Sequence, residues 1–345
     1  ERNYKIMNYT EFFKKIDAEI KKADSIVILR HESPDPDAIG SQVGLREIIR
    51  ATYPEKTVYL LGEMPSSLNY IGEMDEITQE QFDASLVIVL DCANTPRIDC
   101  PFEVDPSKVI KIDHHPDRDV YGAISFVDTD SSSTSEMLCR FAFDAESTWT
   151  MSKEAANALY AGIVGDTGRF LYPSTTTITF SMVSKLLEFD VDISGIAYQM
   201  ITNPVSVSRL AGYIYQNMEI SDNGVAATVL TQEHLKTYGI EEDQTHGVIS
   251  LPSTVEGIHC WGLFVEQPDG TYRVNLRSKG PIVNTIAQNH GGGGHPLASG
   301  AVVSTLDEVQ QIVSELNDSA KEFLNKWKDF PVVVKASGLA AGKGV

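Results

Sequence analysis

Four short apolar segments of this chain run directly into aspartate or histidine, and this pattern restricts the fold more than any other feature. The segments and the polar residues after them are Ser25–Leu29 with His31, Asp35 and Asp37, Val87–Leu90 with Asp91, Val109–Ile112 with Asp113, His114 and His115, and Gly162–Gly165 with Asp166. Apolar runs of this length are typical of buried strands. Because an ionised carboxylate is costly to bury alone, several carboxylates at strand ends predict a shared cation. The sequence therefore predicts a metal cluster.

The order of predicted elements indicates an α/β fold for the first part of the chain. Helical patterns alternate with the strands, and they cover Tyr9–Ala23, Ala38–Ala51, Ser132–Phe143, Lys153–Ile163 and Thr177–Phe189. This alternation predicts a doubly wound, mainly parallel sheet, and we assign residues 1–200 to this domain. Functional loops of such sheets gather at the carboxyl ends of the strands, where the aspartates and histidines are expected.

The second part of the chain has a different texture and predicts a second domain. Strand pairs are predicted at Met218–Ile220 with Val225–Thr231 and at Ile258–Glu266 with Thr271–Arg277, followed by helices at Val283–Asn289 and Leu306–Lys326. A chain of 345 residues is also long for one domain. We predict a linker over residues 201–215, a smaller α+β domain over residues 216–328, and a cleft between the two domains.

The charge and the cysteines limit the class of protein. A formal net charge of −20 argues against a platform for long nucleic acid, because such surfaces carry clustered lysine and arginine. A small anionic substrate is compatible with this net negative charge, since bound cations can make the electrostatic potential inside a cleft positive. No apolar run reaches the roughly 20 residues of a membrane span. The four cysteines form no C-x-x-C pair, so we expect reduced thiols and a cytoplasmic protein.

The candidate ligands favour particular metals. Imidazole, carboxylate and water oxygen suit Mn²⁺, Mg²⁺ or Fe²⁺, and the lack of ligand-spaced cysteines disfavours a thiolate zinc site. The candidates outnumber the needs of one ion, which favours a pair of ions ~4 Å apart that activates a hydroxide for attack on phosphorus. The alternative for Asp35 or Asp37 alone is a helix N-cap or a turn residue.

A second motif lies in the predicted α+β domain. Four consecutive glycines, Gly291–Gly294, precede His295 in the sequence. Bare backbone N–H groups can approach an anion closely, and the histidine adds a side-chain donor beside them. Taken alone, such a run is more often a flexible loop.

In combination these motifs resemble those of the DHH phosphoesterase superfamily. The matching runs are His31–Ser41, Leu90–Cys92, the triplet Asp113-His114-His115, Gly165–Phe170, and, for the DHH-associated C-terminal domain, Asn275–Ser278 with the glycine run. The resemblance covers nearly everything through Leu324. The chain is similar in size and domain content to the compact oligoribonucleases of the superfamily. These enzymes often also remove the 3′-phosphate of adenosine 3′,5′-bisphosphate.

The resemblance implies roles for individual residues. The metal ligands it implies are His31, Asp35, Asp37, Asp91, His114 and Asp166, with Asp91 bridging two ions, of which Mn²⁺ is the first choice. It implies that Asp113 orients His114 and that His115 faces the substrate phosphate as a hydrogen-bond donor or general acid. A histidine packed against a carbonyl is the alternative for His115. The substrate residues it implies are Arg277, Ser278, Gly293, Gly294 and His295, with a surface ion pair as the alternative for Arg277.

The resemblance also implies the reaction and the partners. We expect a metal-dependent phosphodiesterase that hydrolyses very short RNA to mononucleotides. The alternatives are a 3′-phosphatase of adenosine 3′,5′-bisphosphate and a hydrolase of linearised cyclic dinucleotides, all using one site. The expected partners are these small substrates, with no membrane, and the sequence is compatible with a homodimer.

Residues 329–345 look foreign to the rest of the chain. They resemble the strand and phosphate loop of ATP-grasp glycinamide ribonucleotide synthetases, although Gly338 and Gly342 stand one residue too close for a G-x-x-x-x-G-K loop. That fold needs far more chain than these residues provide. We expect a transplanted segment and no requirement for ATP.

Overall fold

The computed structural model describes residues 8–117 and 119–327. The chain divides into two compact units, with the boundary between Ile201 and Thr202. Within the described residues no helix combines the length and the apolar character needed to cross a membrane. Residues 329–345 lie outside the described residues, so the expectation for this segment stays a prediction.

The first unit is built on a five-stranded sheet whose strands all run parallel. The strands are β1 (Ser25–Leu29), β2 (Thr57–Leu60), β3 (Leu86–Leu90), β4 (Ile110–Asp113) and β5 (Ile124–Val127), in the order β2-β1-β3-β4-β5. The helices are α1 (Tyr9–Lys22), α2 (Pro36–Thr52), α3 (Gln79–Asp83), α4 (Thr134–Ala142), α5 (Lys153–Asp166), α6 (Thr177–Leu186) and α7 (Ile193–Ile201). The predicted α/β fold with a parallel sheet is confirmed.

The alternation of side chains along each strand supplies two apolar faces. Ile26 and Ile28 of β1 point into the larger core, which α1, α2, α4 and α5 cover. Val27 and Leu29 point to the opposite face and pack in a smaller core with Phe82 of α3. A strand buried on both faces favours apolar residues throughout, which explains the apolar runs of β1 and β3 before the site residues.

The second unit carries a mixed six-stranded sheet. Its strands are β6 (Glu219–Ile220), β7 (Val225–Leu230), β8 (Cys260–Glu266), β9 (Tyr272–Ser278), β10 (Gly293–His295) and β11 (Ala298–Val303), in the order β10-β11-β9-β8-β7-β6. Its helices are α8 (Val205–Asn217), α9 (Gln232–Tyr238), α10 (Asn284–Asn289) and α11 (Leu306–Trp327). Among the described strands of this sheet, only β7 and β8 pair in parallel, and α11 packs on one face through Val309, Ile312 and Leu316. The smaller α+β character is confirmed.

Two segments differ from the expectation. Most of the predicted linker over residues 201–215 is helical, because α8 begins at Val205 and buries Val207, Leu210 and Ile214 on one face. Part of the glycine run forms an edge strand, since β10 pairs with β11 in antiparallel register.

Candidate metal centre

The carboxyl end of β1 and the start of α2 place the first three candidate ligands. Asp35 is the N-cap of α2, and one of its oxygens, Oδ1, accepts hydrogen bonds of 3.0 Å from the backbone N–H groups of Asp37 and Ala38. Its other oxygen, Oδ2, lies 4.0 Å from Nε2 of His31. The cap and the ligand interpretations of Asp35 are therefore compatible, because each uses a different oxygen.

Asp91 lies at the centre of the cluster. It follows β3 in a left-handed conformation, with φ of 52°, and it is 1% exposed. Its Oδ2 lies 3.5 Å from Nε2 of His31, whereas its Oδ1 lies 3.4 Å from Nε2 of His114. One carboxylate thus faces two histidines from different strands, which is the arrangement expected of a bridging ligand.

The end of β4 carries the Asp-His-His triplet. The resemblance implied that Asp113 orients His114, but the structure places it against His115 instead. Oδ1 of Asp113 accepts hydrogen bonds from the backbone N–H of His115, at 3.1 Å, and from its Nδ1, at 2.9 Å. The reason is local, because a carboxylate at the last strand position reaches the N–H two residues on and the ring attached to it. Nε2 of His114 faces Asp166 at 3.0 Å.

Asp166 is placed by a helix rather than by a strand. The helix predicted over Lys153–Ile163 is present and continues to Asp166 as α5, so the interpretation of Gly162–Gly165 as the end of a fourth strand is wrong. The run of alanines before it favours helix. A carboxylate in the last helical turn is unfavourable, because the helix dipole is negative there. A cation beside Asp166 would offset this cost.

Glycines bring α2 and α5 close enough to join the two halves of the cluster. A Cβ atom on Gly40 would lie 2.9 Å from the backbone N of Gly162, and one on Gly165 would lie 2.7 Å from Cβ of Pro36. Side chains at these positions would push the helices apart. The contact sets the start of α2, with Asp35 and Asp37, beside the end of α5, with Asp166.

Sequence reasoning missed the residues that hold Asp37. The two oxygens of this fully buried carboxylate accept hydrogen bonds from the backbone N–H groups of Thr134, at 2.7 Å, and Ser135, at 2.9 Å. Both groups belong to the first turn of α4, where backbone donors and the helix dipole favour an anion. The hydroxyl of Thr134 also donates to Asp91 at 3.2 Å. The serine-rich run before α4, typical of a helix start, was the available signal.

The carboxylates and histidines of this cluster shift one another's pKa values strongly. Desolvation and the charges of Asp166 and Asp91 raise the pKa of Asp35 to about 6. Desolvation and the same two charges raise the pKa of Asp37 well above its usual value. Burial alone would lower the pKa of His114, but the carboxylates of Asp166 and Asp91 raise it well above its usual value. Close packing of like charges produces this pattern, and the cluster therefore favours added positive charge.

The donors fit divalent metal ions. Three groups of side chains each hold potential ligand atoms within 4.8 Å of one another: His31 with Asp35 and Asp91, Asp37 with His114 and Asp166, and Asp91 with His114 and His115. Oδ2 of Asp91 and Nε2 of His114 are buried and make no well-aligned hydrogen bond among the described residues, although His31 and Asp166 lie 3.5 and 3.0 Å from them. Buried polar atoms without partners are costly, and metal coordination would satisfy both. This cluster of acidic and histidine side chains can bind metal.

Replacing Asp35 with asparagine is expected to stabilise the metal-free protein at pH 8. The folded-state pKa of Asp35, about 6, exceeds its ordinary value of 3.8, so the ionisation of this group lowers stability as pH rises from about 4 to 6. Asparagine keeps the N-cap and removes the charge. We expect a gain of about 1 kcal/mol, or roughly 2–4 °C in Tm, measured by thermal denaturation in chelator.

The same variant should gain less Tm on adding Mn²⁺ than the wild type does. At pH 5 the metal-free gain should be smaller, because the wild-type carboxyl is then mostly protonated. If Asp35→Asn instead has a lower Tm than the wild type at pH 8 without metal, charge repulsion at Asp35 does not destabilise the fold, and the prediction is wrong.

Replacing Gly162 with alanine should disturb the metal cluster from outside its ligands. The added Cβ would lie 2.8 Å from Oδ1 of Asp37 and against the hydroxyl of Ser135. Overpacking of this kind costs about 1–3 kcal/mol, and displaced Asp37 should weaken metal binding. The matched control is Gly212→Ala in α8, where no atom lies within 4 Å of the added Cβ. Calorimetric titration with Mn²⁺ measures the difference, and equal metal affinity in both variants would contradict it.

The sheet of the second unit brings two of the predicted substrate residues onto one face. Arg277 of β9 pairs with Ala298 of β11, which in turn pairs with His295 of β10. Residues directly opposite in an antiparallel sheet share a face, so the side chains of Arg277 and His295 lie on the same side. The guanidinium donates to the backbone carbonyl of Leu276 at 2.9 Å.

The neighbouring predicted residues have more local roles. Ser278 accepts a hydrogen bond of 3.0 Å from the N–H of Gly280. Gly294 has φ of 134°, and a Cβ there would lie 2.6 Å from the carbonyl oxygen of Ala298. Gly293 faces open space, with no atom within 4 Å of an added Cβ.

Comparisons with known proteins agree with these two units. The DHH family N-terminal domain matches residues 25–163, and the DHHA1 domain matches residues 196–322. A probable bifunctional oligoribonuclease and PAP phosphatase NrnA of Streptococcus mutans is 46% identical, over 90% of this chain and 99% of that protein. The bifunctional oligoribonuclease and PAP phosphatase NrnA of Bacillus subtilis is 41% identical, over 87% and 96%.

A solved structure supports the same relationship. The exopolyphosphatase-related protein from Bacteroides fragilis superposes with a TM-score of 0.79 at 26% identity, over 90% of this chain and 98% of that one. The resemblance drawn from the motifs is confirmed. The chain belongs to the DHH family, with a DHHA1 domain in its second half.

Proposed function

We propose that this protein is a metal-dependent phosphodiesterase that hydrolyses very short RNA to mononucleotides. The observation that carries the proposal is Asp91, a buried carboxylate whose two oxygens face His31 and His114 at 3.5 and 3.4 Å. The two candidate ligand groups meet at this residue. The names of the relatives from Streptococcus mutans and Bacillus subtilis support the choice of substrate.

We propose that the cluster holds two divalent ions, with Mn²⁺ as the first choice and Mg²⁺ or Fe²⁺ as alternatives. His31, Asp35 and Asp91 would hold one, whereas Asp37, His114 and Asp166 would hold the other with Asp91 shared. Such a pair, when bound, supplies Lewis acidity and an activated water nucleophile.

His115 is proposed to act on the substrate phosphate. Its Nδ1 donates to Asp113, which is completely buried, and this bond fixes the orientation of the ring. Burial lowers the pKa of His115, but the hydrogen bond to Asp113 and the charge of Asp91 raise it overall. The hydrogen-bonded carboxylate of Asp113 favours the protonated form of the ring, and a protonated imidazole can donate to a phosphate oxygen or a leaving oxygen.

Arg277 and His295 are proposed to bind the substrate at a second point, together with Ser278 and the glycines at 293 and 294. A guanidinium matches phosphate geometry with two parallel hydrogen bonds. The net charge of −20 favours short substrates, because long nucleic acid would meet repulsion over most of the surface. The proposed setting is the cytoplasm.

A second candidate function uses the same residues. Hydrolysis of adenosine 3′,5′-bisphosphate would place its 3′-phosphate at the cluster, and the names of the two relatives include this activity. Linearised cyclic dinucleotides present the same internal phosphodiester as a dinucleotide RNA.

The test compares initial rates on a dinucleotide, a 24-residue RNA and adenosine 3′,5′-bisphosphate, each with Mn²⁺ and with chelator. We expect the dinucleotide to be cleaved and the long RNA to be a poor substrate. Faster turnover of the bisphosphate would favour the phosphatase. Equal rates in chelator, or a preference for the long RNA, would contradict the proposal.

A further inference from the structure

We infer that Lys111 is a positioning residue that holds Asp113, and through it His115, in place at the candidate metal centre. The inference rests on the proposed function for the part that concerns catalysis. The contact itself can be tested without any substrate.

Lys111 is an unusual residue for the middle of a buried strand. Its side chain is completely buried, and its ammonium lies 3.1 Å from a carboxylate oxygen of Asp117. The same group donates to the backbone carbonyls of Ala93 and Asp119, each at 3.3 Å. It also lies 4.4 Å from the centre of the Tyr121 ring. Burial of an ammonium is costly, and these contacts offset the cost.

The ammonium also pairs with the carboxylate that orients His115. Lys111 and Asp113 stand two residues apart on β4, so both side chains point to the same face of the sheet. Nζ of Lys111 lies 3.7 Å from Oδ2 of Asp113, and that oxygen has no hydrogen-bond partner among the described residues. The other oxygen, Oδ1, accepts the two hydrogen bonds from His115. Asp113 is therefore paired with Lys111 through one carboxylate oxygen and with the His115 ring through the other.

The same lysine joins two loops that carry cluster residues. Ala93 belongs to the loop after β3, which begins with Asp91, and Asp119 belongs to the loop after β4, which begins with His114. Two further contacts connect these loops: Tyr121 donates to the carbonyl of Cys92 at 2.7 Å, and the carboxylate of Asp119 accepts from Thr95. Lys111 supplies the positive charge at this junction.

The rival explanation is that Lys111 only supports the fold, and the experiment separates the two. The variants are Lys111→Met, Asp117→Asn and the double variant, which removes a charge of each sign and so keeps the junction balanced. Lys108→Met is the matched control, because Lys108 is exposed and pairs with Asp105 on the surface. We would measure kcat and KM on a dinucleotide with Mn²⁺, and the low-field ¹H resonance of the His115 Nδ1 proton in the metal-free protein. Its loss in His115→Asn assigns the resonance.

We expect Lys111→Met and the double variant to lower kcat at least about tenfold, since a displaced catalytic group costs this much or more, while KM changes little. In both, the low-field resonance should disappear or move upfield, whereas Asp117→Asn and Lys108→Met should keep it. Folded variants with an unchanged resonance and kcat would overturn the inference. Failure of both Lys111 variants to fold, seen by circular dichroism, would also overturn it in favour of the rival. If the wild type cleaves no dinucleotide, the proposed function fails, and the resonance alone then decides the role of Lys111.

Discussion

Asp91→Asn is expected to abolish hydrolysis of dinucleotides while leaving the fold intact. The side chain belongs to the ligand group of His31 and Asp35 and lies 3.4 Å from His114 of the other group, so its loss should disable both proposed ions together. We expect a fall in kcat of about three orders of magnitude or more, equivalent to several kcal/mol of lost transition-state stabilisation. Turnover with saturating Mn²⁺ and the metal content of the purified variant measure the effect.

Asparagine is a better test than alanine at this position. The backbone of Asp91 is left-handed, with φ of 52°, a conformation that asparagine tolerates better than alanine. The matched control is Asp17→Asn. Asp17 is another buried carboxylate, and it accepts hydrogen bonds from Tyr53 and Trp149. Asp17→Asn should lose stability but keep kcat. Near-native turnover and metal content in Asp91→Asn would show that the shared-ligand assignment is wrong.

Arg277→Ala is expected to weaken the binding of dinucleotides without slowing a substrate too small to use it. A charge-assisted contact contributes about 1.5–3 kcal/mol, so KM for a dinucleotide should rise about 10- to 100-fold. Hydrolysis of bis-p-nitrophenyl phosphate should change less than about twofold, because a substrate of this size uses only the metal cluster. Kinetics on the two substrates, with the same enzyme preparation, give the ratio.

The control is Arg209→Ala, which removes an exposed arginine from α8 of the same unit. It should leave both substrates unchanged. Equal losses on both substrates in Arg277→Ala would mean that this residue supports the fold or the metals, and the proposed division of work between the units would fail.

The strands and the cluster were predictable because they depend on local patterns. The runs that form β1 (from Ile26 on) and β3 are apolar throughout, as burial on both faces of a parallel sheet requires, and only Lys111 interrupts the run that forms β4. Since the strands run parallel, their carboxyl ends meet at one edge. The polar residues that follow them therefore had to come together.

Helix-borne Asp166 was harder to place. The apolar segment before it is short, and a short apolar run does not by itself distinguish a strand from a buried helix. The alanines upstream and the glycines at 162 and 165 carried the information, because small residues permit close helix packing. That signal has meaning only once the partner, Gly40 of α2, is known.

The supporting residues were not predictable, because their roles arise from contacts distant in sequence. Thr134 binds Asp37 across 97 positions, and Lys111 reaches Ala93 across 18. A lysine within an apolar strand predicts an edge or a surface position, whereas here it is enclosed by carbonyls and carboxylates. The contact of Asp113 with His115 depends on ring orientation, which sequence does not specify.

The central claim is that this cluster holds two divalent ions, and anomalous scattering from crystals grown with Mn²⁺ tests it most directly. We expect two anomalous peaks in the first unit, one beside His31 and Asp35 and one beside Asp37, His114 and Asp166, with Asp91 contacting both. A single peak, or manganese bound only elsewhere on the chain, would contradict the account.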